Sequence, residues 1–175
     1  LFNHRDNEYT GYNWFVKQMD ELYKHRQDFK VYTTLMDLDR PYAERVKLHS
    51  RDDYLNFVRS MHMGVGCFKK YSAWSISTTD GLSQGVPYIL PDGMCYPEMV
   101  GEQYPLLYRG GAEFLDMIEE MLDNPNVRDE ANKYLNRNWS VEGLVRKGRM
   151  MGKKIGFPTC NIELKKYVIA KLGVY

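Results

Sequence analysis

The sequence predicts an α/β protein built on a parallel, Rossmann-like sheet. Three observations carry that expectation. Short apolar or β-branched runs, Phe29–Leu35, Met63–Phe68 and Val86–Leu90, read as strands. Amphipathic helical stretches separate them. And Met63 to Leu90 reads as strand, loop, helix start, helix, strand, the repeating unit of a parallel sheet. Such a unit leaves free backbone N–H groups at the carboxyl end of the sheet, where phosphates bind.

Each element follows in turn. Leu1-Phe2-Asn3 reads as the tail of a strand, so an amino-terminal half is expected to lie outside this sequence. Arg5 stands just past that strand. Gly11 to Gln27 is an amphipathic helix with Phe15, Val16, Met19, Leu22 and Tyr23 on its apolar face. Phe29–Leu35 is the next strand, and Val46–Leu48 an edge strand. Ser50-Arg51-Asp52-Asp53 resembles a capping box and opens a helix to about Met61. Gly64 and Gly66 weaken the strand Met63–Phe68 unless something approaches its backbone closely. Lys69 and Lys70 follow it, either beside a ligand or simply solvated. Ser77, Thr78 and Thr79 stand where a helix N-cap is expected, Asp80 in its first turn and Gly85 just past its end. Pro91 closes Val86–Leu90. Pro97–Val100 starts a short helix whose Glu98 either faces a ligand or caps. Leu106–Tyr108 is a last strand, Ala112–Asp123 a helix stopped by Asn124-Pro125, and Val127–Asn136 a further helix. His4, His49 and His62 lack paired ligand spacing and read as structural or solvated.

Composition narrows the function classes. There are 24 basic and 23 acidic residues, a net charge of +1. That balance argues against a nucleic-acid-coating or polybasic membrane protein. No apolar run approaches the length of a membrane span, and a cytoplasmic setting is expected. Cys67, Cys95 and Cys160 fit no metal pattern and read as reduced thiols.

Two resemblances add function. Asp80, Gly85-Val86-Pro87 and Tyr96-Pro97-Glu98 follow in an order similar to the donor-binding, carboxyl-terminal half of GT-B glycosyltransferases. Asn3-His4-Arg5 after a strand is especially like the enzymes that mannosylate queuosine in tRNA and related phage enzymes. The resemblance covers residues 1–139 and implies a nucleotide-sugar-binding domain. It implies that Arg5 contacts the diphosphate, that Ser77, Thr78 and Thr79 at the helix start cradle it, and that Asp80 holds the ribose. The partner would be a nucleotide sugar, with a nucleic acid as one acceptor class and no required cofactor or metal. The acceptor half and any general base would lie elsewhere. The usual Lys is replaced near Thr10 and Gly11, and the first acid of the E-x7-E pair falls at Ser72.

From Ser140 the character changes. Lys147-Gly148-Arg149, Gly152-Lys153-Lys154 and Gly156-Phe157-Pro158-Thr159-Cys160-Asn161 strongly resemble the start of riboflavin kinase. That resemblance implies Mg-ATP and flavin as partners. Gly152, Gly156 and Pro158 would lie in the phosphate-facing loop, with Thr159 and Asn161 at the Mg²⁺–nucleotide and flavin site and Thr159 as a Mg²⁺ ligand. The expected fold of 140–175 is a short β-hairpin fragment of the kinase barrel, paired at Gly143–Val145 and Ile162–Leu164, with Lys147–Phe157 mobile. Without the family's catalytic Glu, turnover by this segment is not expected. The reading is therefore a glycosyltransferase donor-binding domain. The alternatives are a riboflavin-kinase fragment and a non-enzymatic Rossmann-like module.

Overall fold

The computed structural model describes residues 1–67 and 74–139. The expected hairpin in 140–175, the Lys69–Lys70 pair and Ser72 lie outside the described residues. Five short strands, β1 (Val31–Thr33), β2 (Ala43–Arg45), β3 (Gly64–Val65), β4 (Tyr88–Pro91) and β5 (Leu107–Tyr108), form two parallel ladders, β1-β2 and β3-β4-β5. The amino-terminal residues join them. Phe2 bridges Thr33 in parallel, its N–H donating to the Tyr32 carbonyl at 2.9 Å. On the other side the Leu1 nitrogen donates to the Met63 carbonyl at 2.8 Å, and Val65 N–H to the Leu1 carbonyl at 3.0 Å. This alternation is that of a parallel pair. The spatial order is thus β2, β1, the amino-terminal segment, β3, β4, β5. β1 and β2 lie on one side of the segment and the later strands on the other. The chain reverses direction across the sheet at that segment, which makes it a topological switch point.

The helices fall into two groups. α1 (Tyr12–Tyr23) packs against α5 (Gly111–Asp123), with Trp14 stacked on Tyr108 at 5.5 Å. α2 (Arg51–Arg59) packs on α3 (Ile76–Ser83), and α6 (Pro125–Trp139) on both α3 and α4 (Tyr96–Val100). Right-handed crossovers in a parallel sheet put the two groups on opposite faces. The core between them includes Phe2, Phe15, Leu22, Tyr88, Ile89, Leu90, Tyr96 and Phe114.

Several boundaries differ from the sequence expectation, for physical reasons. The edge strand is Ala43–Arg45 rather than Val46–Leu48, although Val46 N–H still donates to the Thr33 carbonyl at 2.9 Å. An edge strand carrying exposed Glu44 and Arg45 resists further pairing, and for the same reason it lacks an apolar pattern. β4 starts at Tyr88 because Val86 closes α3 instead. Gly85 is left-handed, with φ 75°, and its N–H donates to the Leu82 carbonyl. Val86 N–H donates to that of Gly81, completing a Schellman motif. Pro91 belongs to β4 rather than ending it. What approaches the β3 backbone is a set of large side chains. A Cβ on Gly64 would meet the Tyr88 ring at 2.2 Å, and one on Gly66 would meet Leu90 at 2.8 Å.

Candidate functional site

In an open parallel sheet ligands bind beyond the carboxyl ends of the strands, at the switch point. Here that place lies between the end of the amino-terminal segment and the end of β3. The loop Asn3–Gly11, the start of α2 and the start of α3 converge on it. Gly11 lets α1 begin hard against β3, since a Cβ there would fall 1.7 Å from the Cys67 carbonyl oxygen.

A buried polar network holds these elements together. Asn3 is buried, and its amide donates to the Tyr54 hydroxyl at 2.8 Å and to the Ser77 carbonyl at 3.1 Å. The Tyr88 hydroxyl donates to the Asn3 side-chain oxygen at 3.2 Å. One strand end is thereby tied to α2, α3 and β4. Burial pushes the Tyr54 phenol up to about 12, so it stays a neutral hydroxyl. His4, the residue after Asn3, is buried too, with Nε2 3.0 Å from the Val65 carbonyl. A carbonyl can only accept, so Nε2 carries the proton. Desolvation lowers the His4 pKa to about 4. It is a strand-joining residue, as the sequence suggests.

The predicted site residues occupy this edge in different states. Arg5 is exposed, and its carbonyl accepts from the Thr10 hydroxyl at 2.7 Å. The N-cap of α3 is Ser75, not a residue of Ser77–Thr79. Its hydroxyl accepts from Thr78 N–H at 3.3 Å and donates to the Thr78 hydroxyl at 2.8 Å. Thr78 is fully buried and Thr79 donates to the Ser75 carbonyl at 2.9 Å, so both hydroxyls serve the helix itself. The Ser77 hydroxyl has no hydrogen-bond partner among the described residues. Asp80 lies beyond the first turn, and its carboxylate grips both terminal nitrogens of Arg51, at 2.9 and 2.5 Å. Arg51 also lies over the Tyr54 ring, 5.3 Å from its centre. Sequence reasoning saw Arg51 only as part of a cap. No local pattern links it to Asp80, because the pairing joins two different helices. Glu98 is exposed at the start of α4.

A pocket of about 430 Å³ opens at the other end of the sheet, lined by Leu1, Phe29, Val31, Met61 and Met63 among others. These residues lie at or before the amino ends of their strands, so the pocket is remote from the switch-point edge. Among the described residues no cluster of His, Cys, Asp or Glu is arranged to hold a metal, and no helix is long and apolar enough to cross a membrane. Cys67 and Cys95 are buried, and neither forms a disulfide among the described residues.

The described residues thus define a parallel α/β sheet with a polar, arginine-bearing edge at its switch point. Comparison with known proteins adds a family at the other end of the chain. The riboflavin kinase (flavokinase) family matches residues 135–175. A bifunctional riboflavin kinase/FMN adenylyltransferase of Buchnera aphidicola subsp. Schizaphis graminum is 44% identical over 50 residues, 29% of this chain and 16% of that protein. The protein of the same description from Listeria monocytogenes serovar 1/2a is 46% identical over 48 residues, 27% of this chain and 15% of the relative. The chain therefore spans about a sixth of the length of these relatives. These matches bear out the riboflavin-kinase resemblance and start it inside α6, ahead of the expected boundary at 140. None of them is a glycosyltransferase, and that resemblance rests on its own residues alone.

Proposed function

We propose that residues 135–175 form the nucleotide- and flavin-facing part of a riboflavin-kinase-type site. The observation that carries this is the coincidence of the family match with Gly152, Gly156, Pro158, Thr159 and Asn161. Loop glycines allow backbone N–H groups to approach phosphate oxygens. The Thr159 hydroxyl and the Asn161 amide oxygen are hard, neutral donors of the kind Mg²⁺ accepts beside nucleotide phosphates, so the donor set fits the metal. Mg²⁺ would neutralise phosphate charge there, while Thr159 and Asn161 would hold and orient the nucleotide and the flavin. Calorimetric titration of the chain with Mg-ADP, followed by riboflavin, tests the reading. Binding that Thr159→Ala weakens about tenfold is expected. A chain that binds neither compound overturns it.

A second reading concerns the α/β part and rests on a different observation, the reversal of strand order at the amino-terminal segment. That reversal favours a nucleotide diphosphate at the carboxyl edge, with the exposed Arg5 guanidinium as a bidentate phosphate partner. By its residue pattern the ligand would be a nucleotide sugar, with Ser77 and the α3 N-terminus nearby. Titration with UDP, GDP and ADP sugars tests it, with Arg5→Ala as the control. Heat of binding to at least one of them, lost in the variant, is expected. The absence of any binding would leave a Rossmann-like module without this ligand.

A further inference from the structure

Asp80 and Arg51 have unequal surroundings. The Asp80 side chain is 11% exposed and that of Arg51 is 59% exposed. The carboxylate sits below and the guanidinium above it, open to solvent. Asp80 takes one N–H from each terminal nitrogen. The guanidinium's other donors bond to no acceptor among the described residues, and they point away from Asp80 because the group is a planar fork. The Tyr54 ring supports it on one side. Tyr54 is in turn fixed by Asn3, two residues before Arg5. A long, flexible side chain is thereby held in one orientation before any ligand arrives, which lowers the entropy cost of using it.

From this arrangement we infer that Arg51 is a second phosphate-binding cation of the carboxyl edge, alongside Arg5, and that Asp80 is its positioning residue rather than a ligand contact. The inference rests on the nucleotide-diphosphate reading of that edge and reassigns two residues within it. A carboxylate already spent on a bidentate arginine pair is poorly placed to accept from a ribose. An exposed arginine braced from behind suits a doubly charged anion. Arg51 also stands at the first turn of α2, so the backbone dipole of that helix favours an anion there too.

The test uses the full chain and inorganic pyrophosphate as the probe, titrated calorimetrically at several salt concentrations. Arg51→Ala is expected to weaken binding about tenfold and to flatten its salt dependence, with Arg51→Lys between the two. Asp80→Asn leaves the cation in place but unbraced, and should weaken binding less than Arg51→Ala does. Thermal unfolding of each variant separates lost binding from lost fold. If Arg51→Ala and Arg51→Lys bind like the parent while Arg5→Ala does not, the inference is wrong and the diphosphate reading stands. If the parent fails to bind pyrophosphate, or binds it independently of both arginines, both are wrong.

Discussion

The two wings of the sheet, on either side of the amino-terminal segment, are held by different physics. On one wing β2 is exposed along its length but for a half-buried Ala43, and an exposed Lys30–Glu44 pair links it at 2.8 Å to the residue before β1. α2 on this side begins on exposed Ser50, whose hydroxyl accepts from Asp53 N–H at 3.0 Å. On the other wing β3 and most of β4 are buried, and the Tyr88 ring is driven between two glycine backbones. α3 here begins on buried Ser75. The edge of the first wing depends on contacts close in sequence and open to water. The second depends on close approaches between distant residues. Changes of the same chemical kind should therefore cost more on the second wing.

The largest expected effect is a pH dependence that enters through the buried wing. His4 has a pKa of about 4 in the folded chain against 6.5 in the reference state. The unfolded chain thus binds a proton between those values while the folded chain does not. The stability that His4 contributes is fully present above pH 6.5 and falls as pH drops towards 4. The total loss from this residue is about 3 kcal/mol. Urea titrations at pH 7 and pH 4.5 on the parent and on His4→Gln measure its share, and the variant should lose less stability over that range than the parent. A midpoint that falls equally in the variant would assign the acid sensitivity elsewhere.

Next comes Gly81→Ala in α3. Helix propensity alone favours alanine by about 1 kcal/mol. A Cβ at this position would sit 2.0 Å from the Tyr88 ring, whose hydroxyl is tied to Asn3. The ring has no free direction to move in, so overpacking should win, with a net loss of about 2 kcal/mol. A stabilised Gly81→Ala would show that the buried wing is more compliant than its packing implies.

The same contrast explains what could be read from the sequence. The parallel α/β class, the order of elements and the Ser50 cap were legible because periodicity and local capping fix them. The β2 strand was misplaced because an edge strand shows charge rather than alternation. The α3 cap was displaced from Ser75 because Ser75, Ser77, Thr78 and Thr79 all carry suitable hydroxyls, and burial chooses among them. Arg51 was missed as a partner of Asp80 because that pair joins two helices and leaves no local spacing to recognise. Arg5 is exposed just past a strand end, and exposure alone leaves no packing signal in the sequence to say what it touches.

The smallest effect gives the most direct comparison, because it makes one substitution at two helix starts. Ser50→Ala and Ser75→Ala each remove an N-cap hydroxyl that accepts from the third helical N–H. At Ser50 the freed N–H of Asp53 is in an exposed turn and water can replace the cap, so the loss should be about 1 kcal/mol. At Ser75 the Thr78 N–H and hydroxyl are both buried, both lose the Ser75 hydroxyl, and water is not at hand to replace it for the N–H. An unsatisfied buried group costs more than a lost hydrogen bond, so the loss should approach 2 kcal/mol. Shifts in urea midpoint at unchanged slope report the two values. The difference between them, about 1 kcal/mol, is within reach of paired measurements. Equal losses would mean that water reaches Thr78, and that the two wings differ in appearance more than in energy.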